Sequence, residues 1–169
     1  PAYPMNTFLR LRLSGQFDRT ALETALVTAF GRHPLMAARA RPSGRRLVWC
    51  PAEQLPAIQW LNTAPTESLP RLAPIDVRRT PGSRVAVREG PGQADLILQT
   101  HHACSDALGM LAFVDDLLAA YALARGVAGA PPLPQLRPEQ LAQRGRFEVT
   151  RPRFLRVCPN PVPRWRDRK

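Results

Sequence analysis

Apolar and polar residues alternate along residues 5–13, which predicts a strand with one buried face. Ser14-Gly15 then breaks the alternation, and the apolar positions of residues 18–32 follow the helical period instead. Asp18 precedes this segment and is a good N-cap residue. The start of the chain therefore predicts a strand followed by a helix that packs one face on a sheet.

The same two periods predict the elements that follow. They are a hairpin over residues 36–41 and 45–50, strands at 58–61, 84–88 and 94–100, and a long helix at about 105–125. Only Asp115 and Asp116 interrupt the apolar surface of the long helix, so we expect it to be largely buried. The predicted fold is α/β, a mixed sheet covered by the helices at about 18–32 and 105–125.

The composition fits one soluble domain. The chain has 169 residues, of which 44% are hydrophobic, and it begins with Pro1. It shows no signal peptide near its start and no uninterrupted apolar run of the roughly 18 residues that a membrane span needs. Three cysteines, Cys50, Cys104 and Cys158, are widely separated and form no CxxC pair. This pattern suits a reducing compartment, so we expect a cytoplasmic protein.

The net charge of +11 is carried by arginine, since Lys169 is the only lysine, and much of it lies in residues 137–169. An arginine bias of this kind is typical of a GC-rich genome. Residues 129–169 are rich in proline and arginine and predict a linker or tail. That segment lacks interleaved aromatic residues, so we expect no specific nucleic-acid partner, although non-specific phosphate contacts remain an alternative.

Candidate chemistry is concentrated in His101-His102-Ala103-Cys104-Ser105-Asp106, between a predicted strand and a predicted helix. Adjacent residues of a strand point to opposite faces, so one histidine can face a cleft while the other is held in the packed layer. A helix N-terminus disfavours positive charge, so an imidazole near it can stay neutral and act as a base. The segment therefore predicts an acid–base site.

Simpler interpretations remain open for the same residues. The two histidines can be ordinary core or cap residues, and Asp106 can be only a helix-terminal acid. A metal site is a weaker interpretation, because adjacent strand histidines diverge and no further ligand cluster is present. We predict that Cys104 fills space in a tight loop and that His33 is structural.

Two segments resemble the superfamily of condensation domains and chloramphenicol-acetyltransferase-like, CoA-dependent acyltransferases. Arg32-His33-Pro34-Leu35 looks like the family's Arg-His-x-x-Leu element. Residues 101–107 resemble its His-His-x-x-x-Asp-Gly signature, with Ala107 in place of the glycine. The order of the segments and the gap of roughly seventy residues between them also agree with the family.

The resemblance implies that residues 1–128 form the N-terminal lobe of a two-lobed fold and that residues 129–169 lead into a second lobe. It implies a tunnel between the lobes in which an acyl group passes from a thioester to an alcohol or amine. The donor would be an acyl-CoA or an acyl group on the phosphopantetheine arm of a carrier protein, with no permanently bound cofactor and no metal.

The resemblance also assigns roles to the motif residues. His102 would be the general base, His101 would support it, and Asp106 would position the loop by pairing with an arginine, for which Arg32 is the candidate. The second lobe is absent from the sequence, so a catalytically inactive remnant or a binding module of the same fold is the alternative to an acyltransferase. A nucleic-acid-binding protein is a further alternative.

Overall fold

The computed structural model describes residues 5–66, 68–69 and 72–136. Its elements in chain order are β1 (Asn6–Ser14), α1 (Arg19–Arg32), β2 (Ala38–Ser43), β3 (Arg46–Pro51), β4 (Ile58–Leu61), β5 (Ser83–Gly90), β6 (Gln93–His101) and α2 (Ala107–Ala124). Every predicted strand and both helices are present. The hairpin begins later than predicted, because Pro34–Ala37 form a short 3-10 helix. Most of the predicted tail, residues 129–169, lies outside the described residues.

The main sheet has four strands in the order β1-β6-β5-β4. Strand β6 runs antiparallel to both of its neighbours, β1 and β5, whereas β4 runs parallel to β5. Strands β2 and β3 form a separate two-stranded sheet. The prediction of an α/β fold with a mixed sheet is therefore confirmed.

Both helices pack on one face of the main sheet. Asp18 caps α1 as predicted, since its Oδ1 accepts a hydrogen bond of 3.0 Å from the Ala21 amide. The helix ends at Arg32, and its buried side meets α2 and the inward residues of β5 and β6. This core includes Leu22, Leu26, Phe30, Val85, Val87, Leu96, Leu98, Phe113 and Leu117.

The expectation that α2 is largely buried is wrong. One side of the helix enters the core through residues such as Phe113 and Leu117. The side that carries Leu108 and Leu111 is open, with relative exposures of 77% and 49%. The helix is apolar nearly all round, but only one of its faces has a packing partner among the described residues.

The opposite face of the sheet is covered by an irregular segment between β4 and β5. Buried Asp95 of β6 accepts hydrogen bonds from Arg12 and Arg88. Both arginines also donate to the carbonyl of Pro65, and Arg88 donates to the carbonyl of Ser68 at 3.0 Å. Charged side chains of the sheet thus satisfy the main-chain carbonyls of Pro65 and Ser68, which lie outside any described helix or strand.

Among the described residues, Ala107–Ala124 is long and apolar enough to cross a membrane by length and composition alone. The partly buried core helix of a soluble protein passes the same test, and this helix contributes several residues to the core. Its composition therefore does not show a membrane span.

Candidate active site

The loop that carries the motif is held by the main chain at both of its histidines. His101 is the last residue of β6, and its amide donates to the Gly82 carbonyl at 2.9 Å. The amide of His102 donates to the Met5 carbonyl at 2.7 Å. The chain turns at once, since the Cys104 amide donates back to the His101 carbonyl at 2.9 Å. The site is thus built where three segments of the lobe meet.

Cys104 fixes the inner side of this turn. It is buried and packs against Gly82, where no side chain stands in its way. The prediction that Cys104 fills space in a tight loop is confirmed, whereas its contact with Gly82 could not be predicted from the sequence.

His102 is an exposed residue with one ring nitrogen in a hydrogen bond to the main chain. Its Nδ1 lies 3.2 Å from the Ser105 carbonyl oxygen, and the residue as a whole is exposed. A carbonyl oxygen can only accept a hydrogen bond, so the contact requires a proton on Nδ1. The neutral ring therefore carries its lone pair on Nε2, which is the state that a general base needs.

His101 is in a different environment from His102. Its Nδ1 accepts a hydrogen bond of 3.2 Å from the Ala103 amide, so its neutral ring carries the proton on Nε2. The ring lines a cavity of about 590 Å³, and His102 does not belong to the lining of that cavity. The two adjacent histidines therefore have opposite tautomers and different surroundings.

Asp106 is the N-cap of α2. Its Oδ1 accepts a hydrogen bond of 2.8 Å from the Gly109 amide. Among the described residues, no arginine forms an ion pair with it. The predicted pairing of Asp106 with Arg32 is therefore wrong. The carboxylate is held by the orphan amides of a helix start, which attract an anion without any cationic partner.

Arg32 instead pairs with Asp116 in the middle of α2, at 2.7 Å between Nε and Oδ2. His33 Nε2 lies 2.8 Å from the same carboxylate oxygen, and its ring stacks edge-on against Phe113. Arg32 also donates to the Pro134 carbonyl at 2.7 Å. The Arg-His element thus joins the end of α1 to α2, and His33 is structural as predicted.

Ala107, where the resembling signature has glycine, is compatible with this backbone. It is the first residue of α2, and none of the described non-glycine residues has a positive φ. The alanine therefore carries no backbone strain. No three His, Cys, Asp or Glu side chains converge on a possible metal site within the part of the chain that the structure describes.

Of the three predicted site residues, His101 and Asp106 flank the loop and His102 stands out from it. No hydrogen bond joins their side chains among the described residues. Sequence reasoning missed Asp116, although a lone pair of acids in an apolar helix is a signal for a buried ion pair.

No known family's sequence profile matches the chain. An uncharacterized protein of Mycobacterium tuberculosis is 33% identical over 138 residues, which cover 76% of this chain and 32% of that protein. A probable non-canonical nonribosomal peptide synthetase of Salinispora arenicola, CymA, is 30% identical over 149 residues, which cover 84% of this chain and 2% of the synthetase. The chain thus spans about a third or less of the length of these relatives.

Solved structures share the fold. The starter condensation domain of rhizomide synthetase RzmA aligns with a TM-score of 0.64 at 15% identity, covering 85% of this chain and 39% of that one. The SgcC5 protein of Streptomyces globisporus aligns with a TM-score of 0.63 at 25% identity, covering 82% and 36%. The X-domain in a complex with OxyB from teicoplanin biosynthesis aligns with a TM-score of 0.63 at 21% identity, covering 79% and 31%.

These likenesses show that the chain has the condensation-domain fold and corresponds to one lobe of that two-lobed fold.

Proposed function

We propose that this lobe takes part in acyl transfer from a thioester to an alcohol or amine, with His102 as the general base. The observation that carries the proposal is the contact between His102 Nδ1 and the Ser105 carbonyl. It fixes the ring so that Nε2 is unprotonated and directed away from the loop's own acceptor. The condensation-domain fold supports the same reaction class.

In the proposed reaction, Nε2 of His102 takes the proton of the acceptor hydroxyl or amine as its oxygen or nitrogen attacks the thioester carbonyl carbon. The carbon–sulfur bond of the tetrahedral intermediate then breaks. The proton held on Nε2 passes to the leaving sulfur, which restores the neutral ring. No net proton is gained or lost by the protein.

The neighbouring residues act on the position of His102 in this proposal. Asp106 starts α2 at a fixed point and so limits the length of the loop. His101 supports the turn, because its ring Nδ1 accepts a hydrogen bond from the Ala103 amide and its carbonyl accepts one from the Cys104 amide. Neither residue needs to touch substrate.

The donor is an acyl-CoA or an acyl group carried by the phosphopantetheine arm of a carrier protein. Both present a thioester at the end of a long flexible arm, so one tunnel can accept either. The relatives that are solved as condensation domains of synthetases favour a carrier protein as partner. The second lobe of the fold would close the tunnel and exclude water.

The test uses the two-lobed protein that carries this lobe, with His102→Asn and His102→Ala compared side by side. Asparagine can place its Nδ2 near the position of the imidazole Nδ1 and so donate to the Ser105 carbonyl, but it offers no base. We expect both variants to lower acyl transfer by roughly a hundredfold or more. His102→Asn should also keep the melting temperature of the unmodified protein.

Acyl-CoA and acyl-carrier donors are assayed separately against alcohol and amine acceptors. A folded His102→Asn variant that retains full turnover with the preferred donor would show that His102 is not the base.

A binding module of the same fold is the second candidate. It is favoured by the X-domain, a structural neighbour that was solved in a complex with OxyB. Under this alternative, neither donor class supports turnover and His102→Asn changes no measurable property. Turnover that depends on His102 would support the acyltransferase and exclude the binding module.

A further inference from the structure

A cavity lies beside the motif, and most of its wall is apolar. Its volume of about 590 Å³ is in the range of small-molecule sites, roughly 300–1,000 Å³. One wall is the hairpin strand β3, whose Leu47, Val48 and Trp49 are 53%, 40% and 38% exposed. Such a concentration of exposed large apolar side chains on one small sheet indicates a surface that is covered in use. The remaining apolar lining residues are Met5, Ala40, Pro74, Ile75, Val77 and Ala103.

The polar groups of the lining are mainly hydrogen-bond donors. His101 uses Nδ1 as an acceptor for the Ala103 amide, so its Nε2 carries the proton. The guanidinium of Arg78 has no hydrogen bond or ion pair to a side chain or carbonyl of the described residues. The Oδ1 of Asn6 accepts the Ile75 amide, while its buried Nδ2 has no partner in the described part of the chain.

Asp76 is the one anion of the lining, and its carboxylate is already engaged. Its Oδ1 accepts the amide of Arg78 at 3.0 Å, and its Oδ2 lies 3.6 Å from Arg79 Nε. The cavity therefore offers a cation and a ring N–H to a ligand, beside apolar walls. This combination suits a molecule with an apolar chain and a hydrogen-bond-accepting, negatively charged end.

We propose that this cavity is a binding site for a small amphipathic carboxylate, with its apolar chain against the β3 wall and its carboxylate at Arg78 and His101. The site goes beyond the proposed acyl transfer, because His102 does not line the cavity. Binding at this site does not require the general base.

The probe is decanoate, with decanol as its uncharged counterpart, titrated into the full chain by calorimetry and followed by tryptophan fluorescence. Arg78→Gln removes the cation, and Val48→Glu places a like charge on the exposed apolar wall. Arg45→Gln is the matched control, because Arg45 is exposed in the same hairpin, carries the same charge and does not line the cavity. Circular dichroism confirms that each variant keeps its fold.

We expect saturable decanoate binding that Arg78→Gln weakens about tenfold, the loss of a charge-assisted hydrogen bond. Decanol binding should be unaffected by Arg78→Gln, and Val48→Glu should weaken both probes. Arg45→Gln should change neither, and His102→Asn should leave decanoate binding intact.

Three results would overturn the proposal. The first is an absence of saturable decanoate binding to the folded chain. The second is an equal effect of Arg45→Gln and Arg78→Gln on decanoate binding, which would indicate non-specific attraction by the overall positive charge. The third is loss of binding in a folded His102→Asn variant, which would place the carboxylate at His102 instead of at Arg78 and His101. Failure of acyl transfer with intact decanoate binding would contradict only the proposed enzyme function.

Discussion

Gly82 and Cys104 approach each other so closely that a Cβ on Gly82 would overlap the Cys104 sulfur and lie 2.9 Å from its Cβ. The glycine has an ordinary φ, so the requirement for glycine comes from its neighbours, which also include the Leu35 carbonyl oxygen at 3.2 Å from the added Cβ. The Gly82 carbonyl also accepts the His101 amide. The start of β5 and the turn after β6 can therefore pack closely only because residue 82 has no side chain.

Gly82→Ala should destabilise the lobe by about 1–3 kcal/mol, because overpacking must push the turn away from β5. Cys104→Ala removes the sulfur, which is the nearest atom that the new methyl group would meet, so the double variant should recover part of that loss. The recovery is incomplete because the Cys104 Cβ and the Leu35 carbonyl oxygen stay close to the new methyl group. Urea denaturation of both single variants and the double variant gives the coupling free energy directly.

Gly31→Ala is the control for this cycle. Gly31 is in α1, and an added Cβ there meets nothing within 4 Å. It should be neutral or slightly stabilising, since alanine is the better helix former. Strictly additive effects of Gly82→Ala and Cys104→Ala would contradict the contact.

Asp106→Asn should leave stability within about 0.5 kcal/mol, because asparagine caps a helix about as well as aspartate. Asp106→Ala should cost about 1 kcal/mol through loss of the bond to the Gly109 amide. Thermal melts of the two variants distinguish a capping role from an ion pair. If the carboxylate were ion-paired, Asp106→Asn would lower stability by more than a change of cap residue does.

Asp116→Asn should destabilise the lobe by about 2–3 kcal/mol, because it leaves the largely buried guanidinium of Arg32 without its counter-charge. Asp115→Asn is the matched control on the same helix, since Asp115 is exposed. Chemical denaturation of both variants measures the difference. Similar midpoints for the two would mean that the Arg32 pair adds nothing to stability.

The acid stability of the lobe should depend on Asp95. Hydrogen bonds from Arg12 and then from Arg88 lower the pKa of this carboxyl below 3.8, although burial opposes the shift. A carboxyl with a lowered folded pKa stabilises the fold above its unfolded pKa, and that stabilisation is lost as the pH falls through the folded value. Unfolding free energy should therefore decline below about pH 4.

Asp95→Asn tests this dependence. The variant should be less stable at pH 7, since buried Arg88 loses its counter-charge, and its stability should fall less steeply in acid. Glu23→Gln, at an exposed position of α1, should reproduce the slope of the unmodified chain. An Asp95→Asn slope that matches the unmodified chain between pH 5 and 2 would contradict the assignment.

Periodicity predicted the elements of this fold because each strand and helix has its own apolar pattern. It did not predict which side of α2 is buried and which is exposed. The helix is apolar on both, and only the position of α1 and the sheet decides that Phe113 is enclosed while Leu108 is not. The apolar pattern of one helix does not specify which other element packs on which of its faces.

The site shows the same limit. The motif residues were predictable because they are consecutive, and the cap formed by Asp106 follows from the sequence around it. The partner of Arg32 was not predictable, since it lies 84 residues away and two acids, Asp115 and Asp116, compete for the assignment. Adjacent residues of a helix point in different directions, so the orientation of α2 determines which of the two acids faces Arg32.

The hydrogen bond between His102 and Ser105 joins residues only three apart in the chain. The tautomer of the neutral imidazole is consequently set within one short loop, by a main-chain acceptor three residues away. Under the proposed acyl transfer, a change of substrate preference could then arise elsewhere in the protein without altering which nitrogen accepts the proton.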